Sequence, residues 1–500
     1  MAPLLVILRY LLLNPITGAP KARSPRRIAL HRHANTSSRD AFTETERRGV
    51  QALAAIYAVR MLGLFMVLPV MALAAREYTG YTAALVGIAI GIYGLTQALF
   101  QIPFGLASDR FGRKRVITLG LLLFAVGSVV AAYADSMLGL IVGRALQGAG
   151  AVAAAVMALA ADLTRDSQRT KAMASIGASI GLAFGAAMVL GPLITEWGGL
   201  SAVFGLSAAL AVLGVGVLLY AVPNPEPIRA SAEIQPVRHD LVAVLKHAEL
   251  LRLDAGIFVL HAIITATFVV LPLEVERVLG IGIASHAGVY LGVMLVSVLL
   301  MVPFIIMGER SGKQRSIFLI AIAVVGVGAL ALSFATRGPV EFLIALIVFF
   351  TAFNLLEASL PSLVSKIAPA GTRGTALGIY STAQFAGAFV GGVGAGWLQT
   401  LWGPEAIHAS AAVLALVWLG VAWPMRPPAS LTRRVLDVGQ MSREEANDLG
   451  ERLAAVPGVT EAVVVADEGA AYLKVDRSGL DESALRNVQP LRMGASGATG

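Results

Sequence analysis

Hydrophobic and polar positions follow one another along this chain in long blocks rather than in short amphipathic turns. Apolar stretches of about 20 residues, the length that spans a hydrocarbon core as a helix, recur from residue 50 onward with brief polar breaks between them. The pattern predicts twelve spans: 50–75, 84–107, 116–134, 138–161, 170–193, 200–222, 252–273, 286–308, 317–335, 340–363, 375–397 and 406–425. One long break, 223–251, is rich in Pro and charge and divides the spans six and six. After residue 428 the period shortens. Residues 433–438 alternate as a strand, and 442–455 reads as an amphipathic helix with Ser442 as N-cap and Glu445 completing a capping box. Two further strands, 459–465 and 470–475, flank a turn at Asp467-Glu468-Gly469, and a short helix is predicted over 482–487.

These elements imply an all-α membrane bundle followed by a small α+β domain. Residues 46–222 form one six-helix half, 223–251 a cytoplasmic loop and 252–425 a second six-helix half. Residues 433–488, in the order βαββα, suggest a ferredoxin-like domain, and the Gly/Ala/Ser tail 489–500 is expected to be disordered. Residues 1–45 are an extension to which no structure is assigned. Its apolar start is interrupted by Arg9 and too short to span. A targeting segment and a stretch upstream of the true translation start both remain open for it.

Composition sharpens this picture. With 57% hydrophobic and 14% charged residues, the chain lacks the charge a soluble protein of its length needs. The absence of cysteine excludes disulfides and thiolate metal sites. The net charge of +8 does not call for a nucleic-acid partner, because the bases sit in short loops between spans. Loops after even-numbered spans carry Arg110, Arg113, Lys114, Arg115, Arg165, Arg169, Lys171, Arg238, Lys246, Arg310, Lys313, Arg315, Lys366 and Arg373. The opposite loops carry Arg76, Arg277 and Arg337. That asymmetry predicts both termini and the central loop on the cytoplasmic side of an inner membrane.

An internal repeat supports two halves. PFGLASDRFGRKRVI at 103–117 and PFIIMGERSGKQRSI at 303–317 share Pro, Phe, an acid, Arg, Gly, a base, Arg and Ile at a constant offset, each after an even-numbered span.

The stretch Gly105-Leu-Ala-Ser-Asp109-Arg110-Phe-Gly112-Arg113-Lys114-Arg115 resembles motif A of the major facilitator superfamily, and lies where that family keeps it, between the second and third spans. Arg144-Ala-Leu-Gln147-Gly148-Ala-Gly150 resembles motif B of its drug/proton antiporter branch. Gly191-Pro192, at the predicted end of the fifth span, resembles that branch's motif C, with the following Gly-Gly displaced to Gly198-Gly199. From about residue 44 to 487 the chain looks most like the YajR-like subfamily, which carries a ferredoxin-like domain after the last span. The resemblance implies a twelve-helix major facilitator bundle of two six-helix halves, with a substrate site enclosed between them.

Motif A implies a latch. In this fold Asp109 would lie near the start of the eleventh span, where a carboxylate meets the positive end of a helix dipole. Arg113 would pair with an acid of a neighbouring helix, for which Asp162 is the candidate. Together they would hold the cytoplasmic side closed. Plain positive-inside topology accounts for the bases but not for Asp109 or the glycines.

Charges inside a membrane are costly and need a reason. Arg60 in the first span and Arg144 in the fourth should face the bundle interior. Motif B implies that Arg144, with Gln147 and Gly148, belongs to a proton or substrate pathway; helix packing against carbonyls is the alternative, and Arg60 could instead snorkel. Glu357 is the candidate carrier of a coupled proton, with Asn354 on the same helical face; locking Lys366 or Arg373 in place is its alternative role. Tyr93, Gln97 and Gln101 form a stripe on the second span, and Tyr380 and Gln384 one on the eleventh. Such stripes suggest a water-filled cavity or, equally, interhelical hydrogen bonds. His261 in the seventh span is a candidate titrating group or a packing residue.

The small domain resembles metal-binding domains of its fold, but reads Gly439-Gln-Met-Ser-Arg443 where those place a CxxC, so no metal is expected. Regulation, ligand or partner binding, and plain stabilisation stay open for it. No cofactor is expected, and no nucleotide-binding loop or nucleophile-and-base pattern points to an ATPase or an enzyme. The expected function is proton-coupled export of small lipophilic or amphipathic compounds, with an uncoupled facilitator and a membrane sensor as alternatives. Expected partners are the substrate, protons and lipid, with a monomer as the simplest state.

Overall fold

The computed structural model describes residues 42–224, 244–334, 338–368, 372–425, 431–439, 441–466, 469–476 and 479–488. The predicted extension up to residue 41 and the tail from 489 therefore lie outside the described residues, as does most of the central loop.

Among the described residues, eleven helices are long and apolar enough to cross a membrane. In chain order they are Glu44–Phe65, Ala83–Phe111, Arg113–Ala132, Met137–Asp162, Lys171–Tyr220, Ala248–Leu279, Ile283–Gly308, Gln314–Phe334, Pro339–Ile367, Gly374–Trp402 and Pro404–Ala422. The longest is two spans: its backbone leaves helical angles at Gly198 (φ −152°) and Gly199 (φ +64°). Twelve spans result, numbered first to twelfth below.

Several boundaries differ from expectation. The first span, expected over 50–75, is helical over Glu44–Phe65 and unwinds before a short helix at Met71–Ala74. The fifth span does not end at Gly191-Pro192; Pro192 lies inside the helix, which runs on to the Gly198-Gly199 turn. A proline within a membrane helix leaves one carbonyl, here that of Met188, without its helical donor, a loss such helices tolerate; the Thr195 hydroxyl donates to the neighbouring Gly191 carbonyl at 2.8 Å. The fourth span is broken, helical over Met137–Ala149 and again over Ala153–Asp162. The seventh begins at Ala248, inside the predicted loop, because Glu249 and Arg252 pair at 2.6 Å and enter the helix as a neutral couple.

The halves meet along the second and eleventh spans. Gly87 and Gly91 on one, and Gly392 and Gly396 on the other, repeat at four-residue spacing and bring the two backbones together. A Cβ on Gly392 would sit 2.8 Å from the Gly87 carbonyl oxygen, and one on Gly91 2.8 Å from that of Phe389. Nearer mid-membrane, Phe184 of the fifth span packs against Phe268 of the seventh and Phe353 of the tenth, with ring centroids 6.5 Å apart in each case. Arg76, in the first loop, pairs across the halves with Glu276 at 2.9 Å. These contacts occupy the membrane half away from the motif A loop. Towards the basic end, a Cβ added at Gly177, Gly181, Gly374 or Gly378 meets nothing within 4 Å. Among the described residues, the contacts between the halves thus lie away from the basic end.

The C-terminal domain has strands β1 (Leu431–Asp437), β2 (Val459–Val465) and β3 (Ala470–Asp476) in one antiparallel sheet of order β1-β3-β2. Helix Arg443–Ala454 lies between β1 and β2, and helix Glu482–Asn487 follows β3. The capping box forms: Ser442 N–H donates to Glu445 Oε2 at 2.8 Å, and Glu445 N–H to Ser442 Oγ at 3.2 Å. Leu449, Leu453, Leu473, Val475 and Leu485 make the core. This is the βαββα order of a ferredoxin-like domain.

Candidate functional site

At the basic end, Gly112 takes φ +96°, open to glycine at little cost, and turns the second span directly into the third. The turn aims Arg113 back at the second span and across to the fourth. Its Nε donates to Asp162 Oδ2 at 3.0 Å and its Nη1 to Ser108 Oγ at 2.7 Å; the Ser108 hydroxyl in turn donates to the Gly105 carbonyl at 2.7 Å. Asp109 pairs with Arg113 as well. Its side chain is 57% exposed, and among the described residues no ion pair or hydrogen bond joins it to the eleventh span. The expected contact with that helix start is therefore not made among the described residues. Arg110 stacks on Phe111, Arg115 is exposed, and Lys114 donates to the Val222 carbonyl at 2.6 Å.

In the first half, two guanidiniums are wholly buried: Arg60 and Arg144 are each 1% exposed. Arg60 does not snorkel. Its Nη2 donates to Gln97 Oε1 at 2.7 Å and to the Gly150 carbonyl at 3.0 Å, the latter supplied by the break in the fourth span. Tyr93 Oη and Gln101 complete the chain through Gln97 at 3.3 and 3.0 Å. Arg144 Nε donates to the Ala89 carbonyl at 3.2 Å, its Nη1 to Gln147 Oε1 at 2.9 Å, and its guanidinium lies 5.0 Å over the Tyr93 ring. Gln147 then donates to Ser128 Oγ at 2.7 Å. Gly148 sits against the Tyr93 backbone and Thr96. Gln97 thus links the second span to Arg60 of the first and Tyr93 meets Arg144 of the fourth, while Gln101 bonds Gln97 within its own helix.

In the second half, polar stripes of three helices converge. Gln384 Nε2 reaches His261 Nε2 at 2.8 Å and donates to Glu357 Oε1 at 3.3 Å. Glu357 Oε2 lies 3.8 Å from His261 Nδ1. Asn354 is one turn from Glu357, and Tyr380 one turn from Gln384. Glu357 makes no bond to Lys366, which instead reaches Gln314 at 3.5 Å. The Glu357 side chain is partly exposed, but its Oε2 is buried without a hydrogen-bond partner.

Gly191 packs on the Met66 carbonyl and on Pro69, where the first span unwinds. Sequence reasoning missed three features. Asp254 in the seventh span is nearly buried, without a partner among the described residues. At the far end, Glu274 and His408 form a buried pair at 2.9 Å between the seventh and twelfth spans. At the basic end, Glu46 holds Arg165 at 2.9 Å. Each is an ionisable residue in or beside an apolar block, a signal available from hydropathy alone.

The comparisons with known proteins agree with this geometry. The family model "Major Facilitator Superfamily" matches residues 53–308 and 253–436, and "YajR YAM domain" matches 441–479. The chain is 45% identical over 435 residues to "Inner membrane transport protein YajR" of Escherichia coli (strain K12), covering 87% of this chain and 95% of that one. It is 27% identical over 387 residues to "Multidrug resistance protein MdtH" of Aeromonas salmonicida (strain A449), covering 77% and 93%. Among solved structures, a bacterial homologue of the human lysosomal transporter Spinster, described as inward-facing and occupied, superposes with a TM-score of 0.63 at 13% identity over 77% of this chain and 97% of that one. A D-xylose-proton symporter superposes at 0.62 with 17% identity over 76% and 98%.

Proposed function

The chain belongs to the major facilitator superfamily; it is a transporter and not an enzyme, and on that premise we propose that it exports small lipophilic or amphipathic compounds across the bacterial inner membrane in exchange for protons. In this reading the basic end is cytoplasmic, with both termini there, and contacts between the halves on the opposite side fit an inward-facing state.

The observation that carries proton coupling is the Glu357–Gln384–His261 cluster. A carboxylate in a membrane interior is retained at a cost, and characteristically marks an ion or proton path. Here it has one buried oxygen without a partner and sits beside an imidazole. Protonation removes its charge, so the cluster can bias which side of the bundle opens. The apolar surroundings and the multidrug-resistance relatives favour a lipophilic cargo and the outward direction. Motif A is the cytoplasmic latch: when that side closes, Asp109 is brought to the start of the eleventh span and Arg113–Asp162 holds the loop that carries it. Substrate-linked proton movement in membrane vesicles, compared between the wild type and Glu357→Gln, tests the reading.

A further inference from the structure

The proposed coupling leaves one buried acid unused. Asp254 lies six residues into the seventh span, about 9 Å along the helix from its start at the basic end. His261 is two turns deeper on the same face, about 10 Å further at the same rise. The two therefore form one stripe, leading from the basic end to the Glu357 cluster.

The polar atoms along this stripe are unusually short of partners. Asp254 Oδ2, His261 Nδ1, Asn354 Nδ2 and Glu357 Oε2 are all buried without a hydrogen bond. Buried polar groups are as a rule satisfied, and where no protein group does so ordered water does. Four such atoms, on the seventh and tenth spans, are where a short file of water would find its partners. Tyr380 lies within the field of both the Glu357 and the Asp254 carboxylates. The other charged groups near Asp254 on its own helix, Glu249 and Arg252, are paired with each other and do not compete for it.

Resting on the proton-coupled reading, we infer that Asp254 is a second proton-carrying residue, the relay through which the Glu357 proton leaves for the basic end. The Glu357 carboxyl gives up its proton to water and becomes a carboxylate. The proton passes along the file, past the Tyr380 hydroxyl, to the Asp254 carboxylate, which becomes a carboxyl and then releases it to solvent at the basic end. Each step moves one proton, and no other reactant is needed.

The test uses full-length protein in lipid, with ethidium as the transport probe and infrared titration of the carboxyl stretching region as an independent readout. The wild type should show two titrating carboxyls in the interior. Asp254→Asn should remove one of them, move the midpoint of the other, and slow ethidium-linked proton flux about tenfold or more, while ethidium binding stays within about twofold. Asp254→Glu should restore flux, which a merely structural role would not produce. An unchanged spectrum and flux in Asp254→Asn would overturn the relay, as would bands that respond to sodium but not to pH. Absence of ethidium-linked proton flux in the wild type counts against the export reading; the infrared titration then still decides the relay.

Discussion

Arg113 bridges two spans by donating to Asp162 across 3.0 Å while also holding Asp109 and Ser108. One guanidinium thus organises the motif A turn, and of its two acids Asp162 is largely shielded while Asp109 is exposed. Asp162→Asn should cost about 1.5–3 kcal/mol, the range for a hydrogen bond to a charged group. Thermal unfolding of the purified protein checks this. A double-mutant cycle with Arg113→Gln should show that the two losses are not additive.

The glycine contact between the second and eleventh spans should be intolerant of side chains. Gly392→Val places carbon against the Gly87 carbonyl, where 2.8 Å is available. Overpacking of this kind costs about 1–3 kcal/mol, here levied on the far-end-closed state alone. A single cysteine at Ala84, in a chain that has no other, should then be labelled from the far side at least about fivefold faster than in the parent.

Hydropathy made the twelve spans legible, because length and apolarity alone decide whether a helix can cross a bilayer. Alternation did the same for the strands, and the Ser442–Glu445 spacing for the cap. Hydropathy does not report how far each helix turns about its axis, so the partners of Arg60 could not be read. The Gly150 carbonyl that receives Arg60 lies in the break of the fourth span, where the Val152 N–H also bonds it, and no residue in Ala149–Ala153 announces the break more strongly than glycines elsewhere. Asp254 was overlooked because it stands two residues inside the predicted start of its span, where a charge reads as a loop flank; the helix begins four residues earlier than the pattern suggested.

Arg144 should not be replaceable by lysine. Its Nε and Nη1 serve two acceptors on different helices while its plane covers Tyr93. A single ammonium cannot reproduce that geometry. Arg144→Lys should lower transport at least about tenfold, the equivalent of one lost charge-assisted bond, with insertion into the membrane unchanged; initial rates normalised to protein in the membrane check it.

The C-terminal domain should lose its caps in acid. Hydrogen bonds from the Ser442 backbone and side chain hold Glu445 below its usual range, and bonds from Ser483 and the Ala484 backbone do the same for Asp481. A depressed carboxylate stabilises the fold fully above its unfolded value, and that contribution is lost as pH falls through the folded value. The domain should therefore be insensitive to pH from about 5 to 8, since unfolded Asp and Glu titrate near 4, and loosen below that. Amide exchange over residues 443–454, corrected for intrinsic rates, reports this. Ser442→Ala should weaken the same helix by about 0.5–2 kcal/mol at neutral pH.

The central claim is that Glu357 couples transport to protons, and proton flux in inside-out vesicles measures it most directly. With a pH dye enclosed and lipophilic cations added one at a time, the wild type should show a substrate-dependent pH change. Glu357→Gln, which keeps the shape and removes the titrating group, should abolish it while leaving the protein folded and inserted. A pH change of full size in Glu357→Gln would contradict the account.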